Sequence, residues 1–227
     1  MADPTETSLL REIDEELRQE HYRKLWQRFG KYVAAGAILL VAGVAGYQGW
    51  RAYDLQVRRA DGERFARIQR LIVEDQADAA RTALSKFTAE ATSGYGLLAR
   101  FQDAALQASR GDKAGAAKTY RELSNDSRIS ANYRDLAVLL EVLNNVDEGD
   151  PTSLSDRLQP LTAANNPWRH SARELIGVLA QRHGNQAKTR ESFAALAADA
   201  AAPEPVRHRA EEMLTILEKQ QGPAGTK

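Results

Sequence analysis

The chain of 227 residues has no cysteine. That absence removes thiol nucleophiles, disulfides and thiolate metal sites together, and it suits an oxidising compartment without requiring one. An excess of charge of either sign is also lacking, since 31 Lys and Arg balance 31 Asp and Glu. A dedicated nucleic-acid binder needs a basic face, and an electrostatic membrane clamp needs a basic cluster, so both are argued against. Phosphate loops are missing: Gly94 and Gly96 open a helix but no lysine and serine follow them. No Gly-x-Ser-x-Gly elbow occurs. The four histidines, His21, His170, His183 and His208, have no second histidine or cysteine three or four residues away, so each is read as a helix-surface or cap residue. The many carboxylates are expected on exposed helix faces. No catalytic residue, cofactor or metal site is expected, and an enzyme is the least supported of the functional classes.

One long apolar run is present. Residues 32–50 (YVAAGAILLVAGVAGYQGW) carry no charge, and Lys31 and Arg51 bracket them. At helical rise 19 residues span nearly 30 Å, about the thickness of a bilayer core. Tyr32, Tyr47 and Trp50 stand at its ends, where amphipathic rings favour the membrane interface. A cleaved signal peptide and a buried core helix are the competing readings. The long acidic segment before the run opposes the first, and the lack of any polar face opposes the second. Along the run Ala35, Ala42, Gly46 and Gly49 fall on one helix face, a small-residue stripe suited to close approach of a partner helix. Glycine and alanine are also simply common in membrane helices.

Before the run, residues 8–29 read as an amphipathic helix with Leu10, Ile13, Leu17, Leu25 and Phe29 at helical spacing. Its acidic first half and basic second half suit the helix dipole. It is either a solvated extension of the anchor or a docking helix for a cytosolic partner. The Lys and Arg counts on the two sides of the run are near parity. The innermost cluster, Lys24, Arg28 and Lys31, tilts the balance toward a cytoplasmic N-terminus.

After the run the chain repeats itself. Gly111-Asp112, Gly149-Asp150 and Gly184-Asn185 read as one turn recurring after 38 and 35 residues, with Asp75 a weaker instance 36 residues earlier. Nine residues past each turn stand Leu84, Tyr120, Leu158 and Phe193. Twelve past stand Phe87, Leu123, Leu161 and Leu196. Twelve before the last three turns stand Ala99, Ala137 and Ala172. The spacing predicts helical hairpins: two large residues on one face of each second helix, and an alanine in each first helix for close packing. Asn166 followed by Pro167 predicts a helix start near Trp168. Trp168-Arg169-His170 is read as first-turn packing on the previous unit. A last helix is expected over residues 206–220, with Ala210 twelve before Gly222, as a cap on a solenoid. The tail 222–227 is expected to be disordered.

The expected organisation is all-α: a cytosolic amphipathic segment at 1–31, a transmembrane helix at 32–50, a repeat domain at 51–221 and the tail at 222–227. The period resembles that of tetratricopeptide repeats. Residues 97–128 match best, with Ala104, Gly111, Ala116, Tyr120 and Leu123 at the small, turn, small, aromatic and apolar positions. Leu154 and Thr189 depart from the small residue after the turn.

Two phrases extend the likeness, YRDLAVLLE at 133–141 and NPWRHSARELIG at 166–177. With the acidic–basic N-terminal helix and the single anchor, the order resembles the YfgM-like family, an ancillary subunit of the bacterial SecYEG translocon, in its alphaproteobacterial form. That resemblance implies an inner-membrane protein with its N-terminus in the cytoplasm and its repeats in the periplasm. It implies association with SecYEG and with a membrane-anchored periplasmic chaperone, helping exported chains move on. The alternative is an anchored envelope scaffold for assembly or division proteins that never touches export substrates.

Overall fold

The computed structural model describes the backbone of residues 4–91 and 94–221, and side chains at 23, 26–91 and 94–220. The expected tail and the apolar face at Leu10, Ile13, Leu17 and Leu25 lie outside the described residues. Among the described residues the regular structure is all helical, without strands. The helices are α1 (Pro4–Val73), α2 (Ala77–Glu90), α3 (Gly94–Ser109), α4 (Lys113–Asn125), α5 (Ala131–Asn145), α6 (Pro151–Leu158), α7 (Arg169–Arg182), α8 (Gln186–Ala198) and α9 (Glu204–Gln221). Two compact units divide at Ala60 and Asp61.

In the first unit no helix boundary separates residues 1–31 from 32–50. No proline follows Pro4 before Pro151, so nothing interrupts the hydrogen-bond ladder of α1. The apolar run is bare: Ile38, Leu39, Leu40 and Val41 are each more than 60% exposed. Gly46 and Gly49 face open space, and so do the neighbouring Gly36 and Gly43. One described helix is long and apolar enough to cross a membrane.

The second unit opens with the last turns of α1 and is built of hairpins. Three of its turns share one geometry. At Asp75, Gly111 and Gly184 φ is positive, at 57°, 88° and 76°. In each, two backbone N–H groups return to the carbonyls of the ending helix, as Asp112 N to Gln107 O and Gly111 N to Ala108 O at 3.0 Å each. The turn at Gly149 differs from its predicted likeness. Val146 stays right-handed after α5, and Gly149 N returns to Asn145 O at 2.8 Å. This longer turn belongs to the 38-residue step. The residue after each of the three glycine turns caps the next helix: Asp112, Asp150 and Asn185 accept from the N–H three residues on, at 2.9, 2.8 and 3.0 Å.

The core follows the nine-and-twelve register. Each cluster joins one pair of large residues to the alanine of the next unit: Leu84 and Phe87 with Ala99, Tyr120 and Leu123 with Ala137, Leu158 and Leu161 with Ala172. The last cluster joins Phe193 and Leu196 to Ala210 of α9. All twelve are buried, and Ala104 is buried beside Tyr120 in the second hairpin. The alanine matters because its short side chain lets the following first helix settle onto the pair. Three predicted details differ. Pro160 ends α6 early, so Leu161 reaches the core from a 3-10 turn, Gln159–Thr162, rather than from the helix. Asn166 caps only the N–H of Trp168 at 2.8 Å, and α7 begins at Arg169. The last helix starts two residues earlier than predicted, with Pro205 in its first turn.

Polar links step from one unit to the next at nearly the repeat length. Arg110 reaches Asp78 at 2.6 Å, Lys113 reaches Asp147 at 2.8 Å, and Arg209 grips both oxygens of Glu174 at 2.6 and 2.8 Å. Trp168 donates its indole N–H to Asn132 O at 3.1 Å, the packing on the previous unit that its sequence position suggested.

Candidate protein-interaction surface

Six residues before Asp75, Gly111, Gly149 and Gly184 stand Gln69, Ala105, Leu143 and Val178 on successive first helices, and Ile216 stands on α9 six after Ala210, as each of the last three does after its packing alanine. Leu143 and Ile216 are nearly half exposed, although both are large and apolar. Leu98, further up α3, is 39% exposed. The first helices α5, α7 and α9 pack in succession, so this register runs from unit to unit. Val178, between Leu143 and Ile216 in this register, packs against the Phe193 cluster, so the exposed Leu143 on α5 and Ile216 on α9 are the candidate contact residues.

A groove of about 230 Å³ lies between the end of α1 and α2. Its floor is Ile68, Leu71, Ala83 and Phe87; Arg64, Arg67, Lys86 and Glu90 form its rim. Arg64 and Glu90 face each other at 3.4 Å. The same pair, 26 residues apart, recurs one unit on as Arg100 and Asp126 at 3.3 Å, and again as Arg173 and Asp199 at 3.6 Å. That recurrence was readable in the sequence, since an Arg and an acid stand 26 apart at equal distances from their turns.

The loops following α4 and α8 are also alike. Asp126 accepts from the N–H of Arg128 at 3.1 Å, and Asp199 from that of Ala201 at 2.9 Å. Ile129 and Ala202 are buried there, with their carbonyls held by Arg134 at 2.9 Å and Arg207 at 3.0 Å. Hydrogen bonds from the side chain and backbone of Arg128 hold the Asp126 carboxyl well below the usual carboxylate range.

Asp61, Glu141 and His170 are buried, which overturns the expectation that carboxylates and histidines lie on exposed faces. Glu141 of α5 is fully buried. Arg121 of α4 donates to Oε1 at 2.7 Å and Arg157 of α6 to Oε2 at 2.5 Å, while Arg157 also donates to Ser124 at 3.1 Å. A carboxylate there is tolerable only because two guanidinium groups reach it from neighbouring helices. His170 of α7 is buried, and neither ring nitrogen has a hydrogen-bond partner; Asp199 lies 3.6 Å away. Burial, then the charge of Arg169, pushes its pKa down, against the pull of Asp199. The burial of Glu141 and His170 was not legible locally, because the charged groups nearest them lie 16 to 29 residues away, on α4 and α6 and in the loop after α8. Among the described residues no group of three or more His, Cys, Asp or Glu is placed to hold a metal ion.

Chained helical hairpins with inter-unit cores define a repeat protein of the interaction class. The chain belongs to the family of tetratricopeptide repeat-like domains, whose model matches residues 23–211. No curated protein and no solved structure matches it. Domains of this family are in general non-catalytic modules for binding other proteins.

Proposed function

We propose that this is a single-pass membrane protein whose repeats form a solenoid for partner proteins beside the Sec translocon, a YfgM-like ancillary subunit. The observation that carries the reading is the pairing of a bare apolar helix with tetratricopeptide-like hairpins. Exposed leucine and isoleucine on a helix are costly in water, at roughly 1.5–3 kcal/mol per side chain left unburied, and favourable in lipid. The stripe of Ala35, Ala42, Gly46 and Gly49 then offers a packing face to a helix of the translocon. The first helices line the concave side of the solenoid, and the Leu143–Ile216 register meets exported chains there. Tethering beside the exit raises the effective concentration of that surface for each emerging segment. In this arrangement residues 1–31 lie in the cytoplasm and the repeats in the periplasm, where a membrane-anchored chaperone takes the chain over. No catalytic step is involved.

The test is photo-crosslinking in native membranes, with probes at Ala42 and Leu143 and mass spectrometry of the products. SecY linked at Ala42, with exported chains or a periplasmic chaperone at Leu143, is the expected result. Envelope or division proteins at both positions would overturn the translocon reading in favour of an anchored scaffold.

A further inference from the structure

Inner hairpins carry a neighbour that the first hairpin lacks. Eight residues before each turn stand Arg67, Asp103 and Glu141; eight after stand Ala83, Thr119 and Arg157. In the third hairpin this face receives the second helix of the unit before it. Glu141 takes Arg121 of α4, and Arg157 takes Ser124 of α4. The equivalent face of the first hairpin is the groove between α1 and α2, lined by Arg67 and Ala83 at those same positions. Among the described residues no hairpin precedes it, and Leu71 and Ala83 stay partly exposed at its floor above the buried Ile68 and Phe87.

The charge at this face is reversed. Where the third hairpin presents the carboxylate of Glu141 to an arginine, the first presents Arg67, with Lys86 beside it. Both are exposed, and Arg64 has only the 3.4 Å contact with Glu90. An incoming helix must therefore carry carboxylates where α4 carries Arg121, and apolar residues over Ile68, Leu71, Ala83 and Phe87.

We propose that the groove between α1 and α2 docks an acidic amphipathic helix of a partner protein, in the place that the third hairpin gives to α4. Rim charges of this kind govern encounter rate and partner choice, while the apolar floor supplies the retention. The surface is distinct from the Leu143–Ile216 register, and the proposal needs no particular membrane partner.

The experiment uses the full chain in phosphatidylcholine nanodiscs and a fluorescent synthetic helical peptide. The peptide has leucine along one stripe and glutamate on both flanks; a control carries glutamine in place of glutamate. Binding is read by anisotropy. The acidic peptide should bind, the glutamine control at least tenfold more weakly, and Arg67→Glu with Lys86→Glu should weaken the acidic peptide by a similar factor. Lys188→Glu, on a different hairpin, should change nothing, and circular dichroism should be the same for all variants. Equal binding to the charge-reversed groove, or no binding to the wild type, overturns the proposal. So does self-association in sedimentation velocity that Arg67→Glu abolishes, which would make a second copy the occupant. Displacement of the peptide by phosphatidylglycerol in the nanodisc would assign the groove to lipid instead.

Discussion

Glu141 allows a prediction with an unusual asymmetry. Its carboxylate is fully buried, yet Arg121 and Arg157 keep 54% and 32% of their side-chain surface exposed. Removing an arginine therefore strands a buried charge, whereas removing the glutamate releases two cations that already reach water. Breaking a fully buried pair costs roughly 3–5 kcal/mol. Here Arg121 remains to Glu141 and Arg157 is a third exposed, so Arg157→Met should cost about 2 kcal/mol. In a unit of this size that is a fall in Tm of about 4–8 °C. Glu141→Met should stay within about 1 kcal/mol of wild type, because a methionine of similar volume replaces an ion pair whose desolvation nearly cancels its attraction. The double variant should recover most of what Arg157→Met loses. The assay is thermal unfolding of the full chain in detergent, followed by circular dichroism, for the two single variants and the double. The reasoning is refuted if Arg157→Met melts like wild type, or if Glu141→Met is the more damaging single change.

Three other expectations follow from the packing, the turns and the titrating groups. Phe193→Ala should cost about 3–5 kcal/mol and loosen α9, since this buried ring packs with Ala210 and lies so close to Gly177 that a Cβ added there would come within 3.1 Å of it; denaturant unfolding with hydrogen exchange at α9 reads both effects. Asp75→Gly should stabilise by about 0.5–1 kcal/mol, because Asp75 holds φ at 57° where Gly111 and Gly184 stand in the equivalent turns; a lower denaturation midpoint would refute the shared geometry. His170 should make stability fall with pH. Its pKa is depressed in the folded state, so the unfolded chain binds the proton first as pH drops through about 6.5. Arg169, Arg173 and Asp199 face it. His170→Leu should flatten the pH dependence of Tm between pH 7 and the folded pKa, and an unchanged slope would exclude this residue. In the membrane segment, Gly46→Leu should reduce co-purification of membrane partners if the small stripe packs on them; full retention removes that role.

What was legible in the sequence was what repeats or runs. The turn spacing, the residues nine and twelve past each turn and the alanine twelve before it are local and periodic. Packing follows them because every hairpin solves the same problem in the same way. The turn at Gly149 shows the limit of reading likeness from residue type. Its glycine and aspartate match the others, but α5 ends right-handed at Val146, and a glycine permits a positive φ without demanding one. Leu161 keeps its register although Pro160 changes the backbone beneath it.

By itself the sequence determined the all-helical class, the apolar run at 32–50 and the repeat with its core positions, since each rests on periodicity within a helix or between copies of one unit. Only the tertiary structure decided that α1 runs unbroken from Pro4 to Val73, that Glu141 and His170 are buried, and that the face shared by α1 and α2 is an open basic groove. Those outcomes depend on which helix of a neighbouring unit covers a side chain, and residues about one repeat away in sequence make that choice.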